Sequence, residues 1–179
     1  MLEKNHYKSI ANVFPIPAID LCLVNNKGEI LMAKRTNTPG KNFYFVPGGR
    51  IHKGDSQISC IRKIISEEGL QNVTPYASRF QLAGVWDHYY DDGPLESKSA
   101  SHYVVSMYYL LIESIEGEDI ELYTRLNSKY IEEYITPNCQ HEKGTWKWAG
   151  KESDLKIHKY AQRYFDYIKN THTKKRGAI

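Results

Sequence analysis

The chain has 179 residues and a mass of 20.7 kDa, a size that predicts a single domain over residues 1–179 and excludes a two-domain enzyme. Charged residues make up 25% and hydrophobic residues 41% of the sequence, which excludes a disordered chain. The net charge of +3 is too small to indicate a nucleic-acid partner.

Targeting signals and cysteine motifs are also lacking. The longest apolar run, Tyr103 to Ile112, is shorter than the roughly 18 residues of a membrane helix, and Met1 to Ala11 lacks the apolar core of a secretory signal. Cys22, Cys60 and Cys139 are far apart and include no Cys-x-x-Cys pair, so neither a zinc site nor a disulfide framework is indicated. We therefore expect a cytoplasmic protein without a membrane segment.

The predicted elements begin with strands. Ala18 to Val24 and Glu29 to Lys34 indicate two strands, and the turn signal Asn25-Asn26-Lys27-Gly28 joins them into a hairpin. A short aromatic strand follows over Phe43 to Val46, and Pro47-Gly48-Gly49 then predicts a tight turn.

The most regular predicted helix extends from Ser56 to Glu68, where isoleucines recur at helical spacing. Either Asp55 or Ser56 is its N-cap, because both side chains accept hydrogen bonds from a first helical turn. Gly69 supplies the residue that commonly ends a helix.

Two more strands, Phe80 to His88 and Tyr103 to Ile112, are separated by a polar loop with the turn formers Asp91-Asp92-Gly93-Pro94. A second helix over about Leu155 to Lys169 carries an apolar stripe. The basic residues beyond it predict a flexible tail over about 171–179. Strands combined with two helices predict an α/β fold.

Glu68 is the most informative residue of the first helix, because at about 100 degrees per residue it falls inside the isoleucine stripe. A carboxylate there must be paired, hydrogen-bonded or bound to a metal, or must curve out to solvent from the last turn.

Gly48-Gly49 allows a main-chain carbonyl to approach a ligand, and carbonyl plus carboxylate suits Mg²⁺ with a phosphate substrate. Arg35 and Arg50 flank this turn and are either solvated surface residues or phosphate contacts.

The segment from Gly49 to Leu70 resembles the signature box of the Nudix hydrolases. Gly49 fits its first glycine, Glu67 and Glu68 match its paired carboxylates, and Ile64 stands where the box has a glutamate. The other matched positions are Asp55 for the first glutamate, Lys63 for the arginine and Ile65 for the apolar residue. The helix exit is one residue shorter than in the box. The resemblance implies an α/β/α sandwich with a mixed β-sheet.

Several longer segments are similar to one branch of that superfamily, the GDP-mannose mannosyl hydrolases, which do without the glutamate replaced by Ile64. The segments are Lys34-Arg35-Thr36-Asn37, Phe45 to Arg50, Gly84 to Asp92, His102 to Val105, and Gln140-His141. They occur in the family's order over roughly Ile16 to Phe165, and the string Trp86 to Asp92 is far more specific than the box.

The resemblance implies that water attacks the anomeric carbon of a GDP-hexose with inversion, so that GDP leaves. One Mg²⁺, with Mn²⁺ as the alternative ion, is expected on the Gly49 carbonyl, Glu68 and Gln140, where it stabilises the leaving diphosphate. His141 is expected to accept a proton from the attacking water, an ordinary role for an imidazole. From spacing alone, His141 would instead be a surface histidine.

The same resemblance assigns the remaining site residues. Arg35 and Arg50 are expected to act on the charge of the departing diphosphate, and His88 is a candidate donor to it. Asp20 and Tyr103 are expected to contact the hexose or the diphosphate. From the residues alone, Asp20 is equally a hydrogen-bonded core carboxylate, and His88 and Tyr103 equally pack at strand ends.

Two other functions stay open at this point. An ordinary Nudix pyrophosphohydrolase would cleave the P–O–P bond of a nucleotide sugar, although Ile64 argues against it, and a catalytically silent Nudix-fold module would bind without turnover. The basic cluster Lys174 to Arg176 lacks interleaved aromatic residues and does not indicate nucleic-acid binding. The resemblance implies a homodimer.

Overall fold

The computed structural model describes residues 9, 11–91, 100–112, 139–142 and 144–176. Its strands are β1 (Ile16–Val24), β2 (Ile30–Lys34), β3 (Tyr44–Phe45), β4 (Gly48–Arg50), β5 (Gln81–Tyr90), β6 (Ser101–Leu111) and β7 (Lys147–Ala149). Its helices are α1 (Gln57–Glu67), a 3₁₀ helix (Gln71–Arg79) and α2 (Lys159–Arg176). No helix in these ranges has both the length and the apolar character needed to cross a membrane.

The strands form one mixed sheet in the order β3-β2-β1-β6-β5, with β4 paired to β1 and β7 paired to β2. The central pair, β1 and β6, is parallel over its whole length, and the other pairs are antiparallel. The predicted hairpin of β1 and β2 is confirmed, because Val24 lies opposite Ile30. Gly28 supports its turn with a φ of 77°, which glycine adopts without strain.

A helical layer covers each face of the sheet. Successive residues of a strand point to opposite faces, so Leu21 of β1 packs against the isoleucines of α1, whereas Cys22 packs on the side of α2. Ile61 and Ile64 of α1 are almost fully buried, and each such side chain contributes roughly 1.5–3 kcal/mol through burial. The predicted α/β/α sandwich with a mixed sheet is confirmed.

Specific hydrogen bonds explain where the two helices begin. The Ser56 hydroxyl accepts from the Ser59 amide at 3.1 Å, so Ser56 is the N-cap of α1. The second helix starts at Lys159, later than predicted, because the Lys156 carbonyl and the His158 amide pair with the backbone of Tyr44. It also ends later than predicted, at Arg176, and 177–179 lie outside the described residues.

Two local predictions differ from the structure. Instead of a simple turn after Pro47, Gly48–Arg50 forms strand β4, since Gly49 lies opposite Ile19 of β1. The short strand Lys147–Ala149 was not predicted, because three residues are too few to show a strand period. The predicted turn formers from Asp92 onward lie outside the described residues.

The close approach of β4 to β1 depends on Gly48. A Cβ at this position would lie 2.4 Å from Asp20 Oδ1 and 3.1 Å from the Ile19 carbonyl oxygen. We expect Gly48→Ala to lower the free energy of unfolding by about 1–3 kcal/mol, because the two strands must separate to admit the methyl group.

Gly150→Ala is the matched control, because a Cβ at Gly150 would meet no described atom within 4 Å. Its effect should stay within about 0.5 kcal/mol. Urea unfolding of both variants measures the difference, and equal stabilities would contradict the close packing of β4 on β1.

Candidate active site

A cavity opens where β1, β4, β5 and β6 meet the chain that follows β2. Every predicted site residue except Glu68 and His141 lines it, namely Asp20, Arg35, Gly49, Arg50, His88, Tyr103 and Gln140. The strand register explains this convergence, because His88 lies opposite Tyr103 and Asp20 lies opposite Gly48. Residues at alternate positions of neighbouring strands share one face of the sheet, and here that face carries the cavity.

Glu68 lies at the end of α1, and its side chain is only 1% exposed. The interpretation that it curves out to solvent is therefore wrong. Its Oε2 accepts from His141 Nδ1 at 2.8 Å and from Cys139 Sγ at 3.0 Å, while its Oε1 has a longer contact of 3.4 Å with the Gln140 amide. All three partners belong to one short segment, so the chain itself compensates the buried charge.

These contacts shift the pKa values of the Glu68 carboxyl and of the Cys139 thiol. Burial by itself would raise the pKa of Glu68, but electrostatic attraction to His141 and the hydrogen bonds from His141, Cys139 and the Gln140 amide lower it below its ordinary value. Burial and the adjacent Glu68 carboxylate raise the pKa of Cys139 to about 12. The group thus holds an ionised carboxylate facing a protonated thiol.

The segment 139–142 positions its side chains through an extended backbone. It lies beside the residues that come after β2. Arg35 forms a β-bridge with His141, and the Thr36 amide donates to the Gln140 carbonyl at 3.0 Å. Side chains of an extended chain alternate. Cys139 and His141 accordingly contact Glu68, whereas the Gln140 side chain lies at the cavity.

Gln140 connects the cavity to the chain around it. Its Oε1 accepts from Arg35 Nη2 at 3.0 Å, and its Nε2 donates to the Gly48 carbonyl at 3.3 Å. The buried Arg35 Nε has no hydrogen-bond partner among the described residues. A guanidinium nitrogen without a partner is a donor that an anion such as a phosphate could satisfy.

A second group of buried polar side chains comes from α2. Tyr164 Oη donates to Asp20 Oδ2 at 2.6 Å and lies 3.4 Å from His88 Nε2. Tyr160 stacks on His88, with ring centroids 4.0 Å apart. Burial, followed by the charges of His158 and Arg163, lowers the pKa of His88 to about 3, so its imidazole is neutral at physiological pH.

The sequence indicated no polar role for Tyr164, which lies in the predicted second helix with its apolar stripe, and none for Cys139. Nothing in the spacing of either residue distinguishes it from a core residue. Their partners are remote, since Tyr164 and Asp20 are 144 residues apart and Cys139 and Glu68 are 71 apart. The adjacency of Cys139 to Gln140-His141 was the only available signal.

The residues at this site fit a hard divalent cation in their chemistry. The Gln140 side chain contacts the Gly48 carbonyl, and the Gln140 backbone amide contacts the Glu68 carboxylate. A carbonyl oxygen and a carboxylate oxygen therefore both lie next to Gln140, which has an amide oxygen of its own. These are the ligand types that Mg²⁺ prefers. Ile64 is only 2% exposed and packs in the core, so its position offers no ligand.

Comparison with known proteins agrees with the fold and the box. The sequence matches the NUDIX domain family over residues 15–152. The chain therefore belongs to the Nudix hydrolase family, whose members generally use divalent metal ions such as Mg²⁺.

Individual relatives are distant. The low-salt glycan biosynthesis protein Agl8 of Haloferax volcanii is 28% identical over 116 residues, which cover 65% of this chain and 69% of Agl8. The crystal structure of a MutT NUDIX hydrolase from Burkholderia pseudomallei has 17% identity and a TM-score of 0.57, covering 86% of this chain and 98% of that one. The NUDIX domain of Shewanella oneidensis NrtR, complexed with ADP ribose, has 12% identity and a TM-score of 0.55, covering 96% and 99%. These structural likenesses show the fold.

The environment of Asp20 gives a pH-dependent stability. Burial raises its pKa from the usual 3.8 to about 6, although the Tyr164 hydrogen bond and the Arg35 charge act in the opposite direction. A raised folded-state pKa contributes stability that is complete below pH 3.8 and is lost as the pH rises through about 6. At about 1.36 kcal/mol per pH unit, the full change is about 3 kcal/mol.

We expect the stability of the wild type relative to Asp20→Asn to fall by up to about 3 kcal/mol as the pH rises from about 4 to about 7. Subtracting the variant removes the opposite contribution of His88, whose depressed pKa is common to both proteins. Urea unfolding across this range measures the difference. A difference that does not change with pH would contradict a buried, titrating Asp20.

Proposed function

We propose that the protein hydrolyses a GDP-hexose, with GDP-mannose as the principal candidate, at the anomeric carbon to give GDP and free sugar. The observation that carries this proposal is Ile64, a core residue where the resembled box has a glutamate. Glu68 is then the fully buried carboxylate that the helix offers. A site so short of carboxylates is better suited to assisting a leaving group than to activating water against phosphorus.

The cavity supplies the groups that a departing diphosphate needs. Arg35 and Arg50 both line it, and the unpaired Arg35 Nε is a donor among the described residues that a phosphate oxygen would satisfy. Negative charge that grows as the glycosidic bond breaks would be stabilised by these fixed cations. His88, neutral at working pH, keeps one N–H with which to donate to the same oxygens.

Glu68, the Gly49 carbonyl and Gln140 would hold the Mg²⁺, which when bound supplies positive charge to the diphosphate. In the present structure the Glu68 carboxylate faces the donors of residues 139–141. Its Oε1 has only the long contact with the Gln140 amide, so this oxygen is the more available ligand.

His141 is the proposed acceptor of the water proton. A carboxylate has no hydrogen to donate, so the 2.8 Å contact with Glu68 requires His141 Nδ1 to carry the hydrogen. In this position Nε2 is the acceptor nitrogen, as in a carboxylate–histidine pair. The ring is fully buried beside Trp146, so the proposed role requires the segment 139–142 to shift toward the cavity when substrate binds.

The sugar would lie against Asp20 and Tyr103, which reach the cavity from neighbouring strands. Tyr164 holds the Asp20 carboxylate in a fixed orientation from behind. The relation to Agl8, named as a glycan biosynthesis protein, supports a sugar-containing substrate.

Product analysis tests the bond that is cleaved. Incubation with GDP-mannose, Mg²⁺ and ¹⁸O-water should give unlabelled GDP and a reducing hexose that carries the label, because water attacks carbon. GMP with hexose phosphate would overturn the proposal in favour of a pyrophosphohydrolase, and binding without turnover would favour a silent module.

Arginine variants test the stabilisation of the leaving group. Arg35→Ala should lower kcat about 10²–10³-fold, the range observed when one preorganised donor to developing charge is removed. Arg62→Ala is the matched control, because Arg62 is exposed on α1 and does not line the cavity. Steady-state kinetics of the two variants should therefore differ greatly, and equal kcat values would remove Arg35 from the mechanism.

A further inference from the structure

We propose that Glu68, Cys139 and His141 form a binding site for a borderline-soft divalent cation such as Zn²⁺, and that this ion holds the segment 139–141 closed over Glu68. The sequence gives no indication of such a site, because its cysteines are far apart and form no metal-binding pair. The site exists only because the fold brings the end of α1 against residues 139–141.

The three ligand atoms are already grouped. One ligand atom from each of Glu68, Cys139 and His141 lies within 4.8 Å of the other two. Zn²⁺ binds nitrogen and oxygen at about 2.0–2.2 Å and sulfur at about 2.3 Å, so tetrahedral ligands lie roughly 3–4 Å apart. To admit the ion, the contacts of 2.8 Å and 3.0 Å to Oε2 would lengthen by about half an ångström, the Cys139 thiol would release its proton to solvent, and the hydrogen of His141 would move from Nδ1 to Nε2.

The ligand types select the cation. Thiolate and imidazole ligands favour Zn²⁺ and other borderline or soft ions, whereas Mg²⁺ takes oxygen ligands almost exclusively. Of the proposed Mg²⁺ ligands, only Glu68 belongs to this group. The two proposed sites therefore share a single residue, Glu68.

The group is buried, because the side chains of Glu68 and His141 are 1% and 0% exposed, so an ion bound there would be shielded from bulk water. Three protein ligands would leave the fourth tetrahedral position of Zn²⁺ open. The Trp146 ring lies 5.2 Å from the His141 ring and provides an apolar neighbour. The Thr36 amide and hydroxyl both donate to the Gln140 carbonyl, and these bonds fix the backbone between Cys139 and His141.

This arrangement makes zinc an inhibitor, a consequence that rests on the proposed function. An ion on Oε2 of Glu68 and Nδ1 of His141 would keep both residues in the closed position, away from the cavity. Hydrolysis that depends on Glu68 and His141 would then stop, although the nucleotide-sugar cavity itself would stay intact.

Metal binding is tested without substrate. Titration of the reduced full chain with Co²⁺ should give a one-to-one complex with a thiolate-to-cobalt charge-transfer band in the near ultraviolet, and competition with a chromophoric chelator should give the Zn²⁺ affinity. Cys139→Ser should abolish the band and weaken Zn²⁺ binding at least tenfold. Cys60→Ala is the matched control, because Cys60 is buried and contacts the Arg50 carbonyl rather than Glu68; it should leave both signals unchanged.

A band that persists in Cys139→Ser, or a Zn²⁺ affinity equal to that of the wild type, would overturn the inference. Circular dichroism of each variant shows that a lost band reflects a lost ligand and not an unfolded chain.

Hydrolysis assays separate this inference from the proposed function. Cys139→Ser should keep Mg²⁺-dependent turnover within about threefold of the wild type and lose most of its inhibition by Zn²⁺. Turnover that remains equally sensitive to Zn²⁺ in Cys139→Ser would overturn the zinc site alone. Zinc binding by a protein that does not hydrolyse GDP-hexoses would overturn the proposed function alone.

Discussion

The buried carboxylate of Glu68 is the constraint on which the arrangement of the site depends. A charge at the inner end of α1 is tolerated only with donors close to it, and residues 139–141 supply three of them. Without these donors, the helix would bury an uncompensated charge against its own isoleucine core. The stability of α1 and the position of this distant segment are therefore coupled.

This coupling carries through to the cavity. Because alternate side chains of 139–141 face Glu68, the side chain between them faces Arg35 and the Gly48 carbonyl. One extended segment thus joins the buried acid to the cationic cavity. A change in what Glu68 binds would move Gln140 with it, so the residues proposed to bind the metal, to act as general base and to contact phosphate are structurally coupled.

The second helical layer plays a corresponding part on the other side of the cavity. Tyr164 and Tyr160 of α2 contact Asp20 and His88 from the face opposite to α1. Burial at this place lowers the pKa of His88, which keeps its ring neutral, and raises the pKa of Asp20. Each helical layer therefore contributes buried polar side chains next to the proposed site: Glu68 at the end of α1, and Tyr160 and Tyr164 on α2.

The amino-acid sequence by itself determined the hairpin of β1 and β2 and the isoleucine helix, because these depend on neighbours a few residues apart, and the order of strands and helices determined the α/β class. It left the N-cap of that helix open between Asp55 and Ser56, and the structure identified Ser56. It also indicated that the charge of Glu68 requires compensation, and resemblance supplied a list of site residues whose roles stay predictions. Only the tertiary structure decided that Cys139 and His141 compensate this charge, that Tyr164 holds Asp20, and that Gly48 joins a strand. The reason is physical, since each of these contacts joins groups that chain spacing leaves unrelated and that meet only when the sheet is assembled.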